Sequence, residues 1–393
     1  MSSDSKQSFL SLDLLDNRYP ALHGLRVLAI ISVIQFHITW IFAGEQGIPI
    51  ESGFRNFSLT IFFGMDLFFM LSGFLIGSIL LRSLEVSGTQ NLRRFYIRRI
   101  FRTFPSYYIV LTFLALVTTL TAMQRHNLKF EYIYITNFLP LGRGDVIMFW
   151  GWSLALEEQF YLTVPLLFFV LHRLGSDKLR ISLLASMWLS GLVIRLVIFF
   201  KYGPWTDLAL YGALYFRTYT RFDTLVAGIL LAFVHMKYEK QVAQFLETPR
   251  HRAILAFIAA TCLWLLLEPT LFGASMQSVQ FFHVFAWGTV TTVMYFPALL
   301  LLLHGRGAIS RALSLPIWRR IATVGYGVYL VHIPICDHVV VPAARYLRAK
   351  AVPMVVVWPA SLVFLTLSSM AIGYLMHILI EKPSLKVRQW LAA

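Results

Sequence analysis

Arg26 and His37 stand eleven residues apart in a run, 25–43, that is otherwise almost wholly apolar. A guanidinium binds phosphate or carboxylate oxygens in bidentate fashion. A neutral imidazole can take the proton of a hydroxyl near neutral pH. Eleven residues at 100° each fall within about 20° of a whole number of turns, which puts both side chains on one helix face about 16 Å apart along the axis. On a regular helix they cannot hydrogen-bond each other, but they can touch two parts of one elongated ligand. The spacing leaves equally open that each only pairs with a carboxylate such as Asp66 or Glu157.

Further ionisable residues interrupt the later apolar runs: Asp66, Glu157, Glu158, Arg195, Asp223 and His332. Facing lipid, each would cost several kcal/mol, so they should point into a bundle interior or a wet cavity. Ser153, Glu157 and Tyr161 recur at four-residue spacing and stack on one helical face. A buried Glu needs a cation, a donor or a proton, so interhelical pairing and catalysis both fit Glu157. The stretch Arg93-Arg94-Phe-Tyr-Ile-Arg98-Arg99-Ile-Phe-Arg102-Thr-Phe-Pro105 sets Arg94, Arg98 and Arg102 on one face, with Arg99 beside them. These arginines suit a clamp for phosphates, and they suit a topology signal equally well.

The elements that must carry these residues are membrane helices. Of 393 residues, 58% are hydrophobic and 13% charged, against about a quarter charged in soluble domains. Apolar runs of roughly 20 residues, the bilayer-crossing length, recur along the chain. The net charge of +15 is explained by basic loops on one membrane side, and no nucleic-acid motif accompanies it. Cys262 and Cys336 both lie in apolar runs, without metal-ligand spacing, so neither a disulfide framework nor a metal site is expected. The first run is too long for a signal-peptide core and lacks a small-x-small site behind it, which predicts a retained span.

The runs predict an all-α, polytopic bundle of about ten transmembrane helices at 21–43, 58–81, 104–123, 149–171, 181–200, 222–235, 253–267, 282–303, 321–341 and 354–380. With the N-terminus inside, inner segments exceed outer ones in Lys and Arg about two to one, which favours an N-in, C-in topology. The expected division is a cytoplasmic segment 1–20, one membrane domain 21–381 and a cytoplasmic tail 382–393.

Taken in order, several of these segments resemble the acyltransferase-3 family of integral membrane acyltransferases. The first is Leu22-His-Gly-Leu-Arg26, with His37 completing an Arg-x10-His pattern. Met65-Asp66-Leu-Phe-Phe-Met-Leu-Ser72-Gly73 follows, then Arg98-Arg99-x-x-Arg102-x-x-Pro105. Trp152-Ser153-Leu-Ala-Leu-Glu157-Glu158-Gln-Phe-Tyr161 comes next, then Arg221-Phe-Asp223 with Gly228. Tyr326-x-x-Tyr329-Leu-Val-His332 and Glu381-Lys-Pro383 close the set. The resemblance covers nearly the whole chain. It implies about ten helices in a bacterial inner membrane, multi-pass, and transfer of an acyl group, acetyl foremost, from an acyl-CoA donor to a hydroxyl. The implied acceptors are glycans, lipid-linked glycans or small natural products; no resident cofactor is implied. Gly325 and Gly327 stand where the family usually has serines, which predicts a looser helix or a wider cavity there.

On this basis His37 is the candidate general base, and Glu157 the carboxylate that orients it or balances its cation. An acyl-histidine intermediate is the other course. Arg26, with Arg98, Arg99 and Arg102, is the candidate grip on the donor's phosphates. Asp66, Ser153, Tyr161, Arg221, Asp223 and His332 complete the candidate substrate-binding set. The rival class is a proton-coupled transporter that relays protons through the same buried His, Glu and Asp residues.

Overall fold

The computed structural model describes residue 12 and residues 18–87, 91–268, 276–305 and 307–391, and every regular element among them is helical. Most of segment 1–20 lies outside the described residues. Nine described helices are long and apolar enough to cross a membrane: Pro20–Glu45, Gly64–Leu84, Leu92–Val117, Phe149–Arg173, Asp177–Tyr202, Pro249–Leu267, Gln277–His304, Pro316–Ala349 and Met354–Leu391. The protein is a multi-pass membrane protein. The sixth expected span is helical too, over Thr218–Lys237. It is not among the nine, because Thr218, Thr220, Arg221, Asp223 and Thr224 dilute its apolar character.

Two boundaries differ from the apolar runs for local reasons. The third helix begins at Leu92, so the arginine-rich stretch is its first turns and not a loop. It ends at Val117 because Thr121 caps a separate helix, Ala122–Tyr132: the Gln124 amide donates to the Thr121 hydroxyl, and the Gln124 side chain accepts from the Thr121 N–H. The expected tail 382–393 is helical over Lys382–Leu391.

The chain folds as two compact units. One takes residues 1–59, 93–110 and 307–393; the other takes 60–92 and 111–306. In the first, Pro20–Trp40 packs against Pro316–Ile335, which packs in turn against Met354–Met376. A Cβ on Gly327 would lie 2.9 Å from the Gly373 Cα, and one on Gly325 would lie 2.5 Å from the Ile30 Cδ1. These glycines therefore bring helices together. The looser helix or wider cavity expected from the missing serines is not there, because the backbone of a neighbouring helix and an Ile side chain fill the space.

In the second unit, Gly64–Ser87 and Thr218–Lys237 form the most extensive helix pair. Gly73 and Gly228 face each other across it: a Cβ on Gly73 would lie 2.0 Å from the Leu225 carbonyl oxygen, and one on Gly228 would lie 2.2 Å from that of Met70. Two backbones in contact through small residues is the usual way membrane helices pack closely. That approach sets the register in which Asp66 meets Arg221.

Candidate functional site

His37 lies three residues before the end of the Pro20–Trp40 helix and is half-buried, whereas His332, on Pro316–Ile335, is fully buried. Their rings are stacked with centroids 5.0 Å apart, and His37 Nδ1 lies 2.9 Å from His332 Nε2. His332 Nδ1 is 2.7 Å from the Tyr329 carbonyl oxygen. A carbonyl only accepts, so His332 Nδ1 carries the proton, and in a neutral ring its Nε2 is then the acceptor. His37 Nδ1–H must donate to it. In a neutral His37 that donates from Nδ1, the lone pair is on Nε2.

Polar side chains around His37 hold its end of the helix. Gln35 Nε2 donates to the Ser58 carbonyl at 3.0 Å and to its hydroxyl at 2.5 Å. The Thr39 hydroxyl lies 2.6 Å from that of Ser58 and accepts from Trp358 Nε1 at 3.0 Å. None of these residues was a sequence candidate. The available signal was two polar residues, Gln35 and Thr39, flanking a histidine in an apolar run.

At the other end of this unit, Arg102 Nη1 pairs with Glu381 Oε2 at 3.2 Å, and the same oxygen lies 2.9 Å from His377 Nδ1. Tyr326 donates to the Thr103 carbonyl at 3.1 Å, and Ser384 to the Phe101 carbonyl at 2.7 Å. Arg98 is exposed, and Arg99 and Arg102 are half-buried. Arg26 is half-buried on its own helix.

In the second unit, the four-residue spacing of Glu157 and Tyr161 becomes a short hydrogen bond from the Tyr161 hydroxyl to the Glu157 carboxylate. Ser72 donates to the same oxygen at 2.6 Å, and Ser153 is buried one turn before. Asp66, Arg221 and Asp223 are fully buried in two ion pairs. Arg221 Nη2 donates to Asp66 Oδ1 at 2.8 Å, and the Thr224 hydroxyl to the same oxygen at 3.1 Å. Arg195 Nη1 donates to Asp223 Oδ2 at 2.6 Å and to the Thr220 carbonyl, Nε to the Val284 carbonyl and Nη2 to the Thr289 hydroxyl. The first pair keeps spare capacity: Arg221 Nε and Nη1 and Asp66 Oδ2 have no hydrogen-bond partner among the described residues. The guanidinium of Arg221 also sits 4.6 Å from the Tyr215 ring centroid.

Just ahead of the Glu157 helix, the Ala122–Tyr132 helix clasps the preceding loop. Gln124 donates to the Arg143 carbonyl at 2.7 Å, and Asn127 to that of Asp145 at 2.9 Å. Glu131 accepts from the Ile147 and Met148 N–H groups at 2.8 and 2.9 Å. Burial pushes the Glu131 carboxyl up to about 7, while the two N–H donors keep it from rising further. Among the described residues no group of His, Cys, Asp and Glu is arranged to hold a metal.

A family model described as an acyltransferase domain matches residues 19–378. The chain belongs to the acyltransferase-3 family. It is 28% identical over 342 residues to the peptidoglycan O-acetyltransferase OatA of Listeria monocytogenes, covering 80% of this chain and 49% of that protein. It is 31% identical over 234 residues to the O-acetyltransferase OatA of Staphylococcus aureus, covering 55% of this chain and 34% of that one. A putative O-acetyltransferase of another Staphylococcus aureus strain is 29% identical over 231 residues, with the same 55% and 34% coverage. The chain thus spans half or less of the length of these relatives. No solved structure matches.

Proposed function

We propose that this protein is a membrane O-acyltransferase that moves an acyl group, acetyl foremost, from acyl-CoA to a hydroxyl of a carbohydrate or related acceptor, with both termini cytoplasmic. The observation that carries the reading is the His37–His332–Tyr329 chain, which leaves a basic His37 Nε2. Family membership and relatives described as O-acetyltransferases, one of them acting on peptidoglycan, support the acetyl group and the carbohydrate acceptor.

In this mechanism His37 Nε2 removes the acceptor hydroxyl proton as the oxygen attacks the thioester carbonyl carbon. The tetrahedral adduct collapses with cleavage of the C–S bond, and the imidazolium returns its proton to the departing thiolate. The products are an ester and free coenzyme A. His332 acts through His37 as its positioning residue, keeping the Nδ1 proton in place as the buried Asp does in hydrolytic triads. Glu157 is the second catalytic candidate. The hydroxyls of Ser72 and Tyr161 donate to its carboxylate and fix it in place. Arg26, Arg98, Arg99 and Arg102 are assigned to the donor's phosphates. Asp66 and Arg221 are kept as substrate-binding candidates through the guanidinium and carboxylate atoms left over from their own pair. Asp223 is bound to Arg195, whose three nitrogens all have partners, so its contribution is to hold the Thr218–Lys237 helix that carries Arg221.

The test is transfer from radiolabelled acetyl-CoA to candidate glycans by purified protein. Covalent labelling of the acceptor is expected. Uptake of an acceptor into proteoliposomes without covalent change would instead establish the transporter.

A further inference from the structure

We propose that the C-terminal helix Lys382–Leu391 completes a phosphate-binding site, in which Arg388 joins Arg98, Arg99 and Arg102. Arg102 pairs with Glu381, and Phe101 receives the Ser384 hydroxyl, so the two segments run past each other in opposite directions. Arg388 lies one turn beyond Ser384, and Arg98 about one turn before Phe101. The antiparallel course therefore brings these two arginines to the same end of the contact. Arg388 lies within electrostatic reach of Arg98, Arg102 and Arg99.

Four guanidiniums gather from two segments nearly three hundred residues apart in sequence, and the carboxylate pinned among them, Glu381, is already shared between Arg102 and His377. Arg98 and Arg388 have no carboxylate partner among the described residues. Like charges held together by packing favour an anion between them. A topology signal accounts for arginines on one membrane face, but it does not require the end of the Met354–Leu391 helix to run alongside them. Several forks converging from two helices suit phosphate oxygens, which arginine grips in bidentate fashion.

Two ligands carry that chemistry here: the nucleotide end of coenzyme A and the headgroup of an anionic phospholipid. The proposal rests on the acyltransferase reading only for the first of these. Because its readout is binding and not turnover, an inactive His37 variant leaves it standing, and its failure leaves the role of His37 untouched.

The experiment uses the full chain in nanodiscs. Acetyl-CoA and acetyl-pantetheine, which lacks the nucleotide phosphates, are titrated against wild type and Arg388→Gln, and retention of phosphatidylglycerol is measured against phosphatidylcholine. Weakening of acetyl-CoA binding by about tenfold in Arg388→Gln, the loss of roughly one charge-assisted contact, with acetyl-pantetheine unaffected, assigns the site to the donor. Unchanged acetyl-CoA binding with lost phosphatidylglycerol retention assigns the same phosphate site to lipid. A folded Arg388→Gln protein that changes neither overturns the proposal. If that variant does not fold, Arg388→Lys, which keeps the charge without the fork, is read in the same way: weakened binding of either ligand supports the site and unchanged binding of both overturns it.

Discussion

His332 gives the sharpest information at the residue scale, because its Nδ1 faces a carbonyl and its Nε2 faces His37. If this contact sets the tautomer of His37, removing it should lower kcat and leave the KM for donor nearly unchanged. We expect His332→Ala to lose tenfold or more in kcat, within the roughly 10² to 10⁴ range of general-base contributions. His332→Gln should recover part of it, since an amide can donate to the Tyr329 carbonyl and accept from His37 Nδ1–H. A parallel fall in protein stability with a rise in KM, without recovery by Gln, would mark His332 as a packing residue only. His37 was visible as a candidate from its place in the Arg-x10-His pattern. Its partner was visible only as another buried histidine, since 295 residues separate the two and no local periodicity links them. Asp223 was equally misleading in isolation: nothing in Arg221-Phe-Asp223 says that the carboxylate turns to Arg195 while the neighbouring arginine turns to Asp66.

Elements act through how closely they pack and what pins them. The Gly73–Gly228 contact places backbone where any side chain would go. Gly73→Ala and Gly228→Ala should each destabilise by about 1–3 kcal/mol or more, the cost of overpacking a tight contact. Thermal unfolding in nanodiscs checks this, and unchanged midpoints would mean that the two helices can part without loss. The loop clasp on the Ala122–Tyr132 helix predicts a pH dependence. Because Glu131 is held at about 7, above the ordinary glutamate value of about 4.3, the folded state binds that proton more tightly than the unfolded chain. Its contribution to stability is whole below the unfolded value and is lost as pH rises through about 7. The wild-type midpoint should therefore fall between about pH 4.3 and about 7 and level off above that. Glu131→Gln should show a flatter profile from a lower starting point, since one of its side-chain groups cannot accept from a backbone N–H. An unflattened profile would move the titration to another group. This clasp was not legible in the sequence: 104–123 reads as one apolar run, and only the Thr121–Gln124 cap breaks it.

For the whole molecule, apolar length and charge deficit were enough to establish a multi-pass, all-α protein. The helix count was the weaker part, because Thr218–Lys237 is helical and yet polar at the end that carries its buried ion pairs. The basic stretch 93–102 shows the same limit from the other side: its arginines read as loop, although four-residue spacing continues through them into the helix Leu92–Val117. Polar groups that pair inside a membrane helix lower its apparent hydropathy without shortening it, so function and span recognition compete for the same residues. Membership of the acyltransferase-3 family turns the balance between enzyme and transporter.

That balance is tested most directly by a single comparison: transfer of label from acetyl-CoA to a glycan acceptor by wild type and His37→Ala, with donor binding measured on the same preparations. The account predicts that His37→Ala still binds acetyl-CoA and loses at least about a hundredfold in transfer. Undiminished transfer by His37→Ala would contradict it.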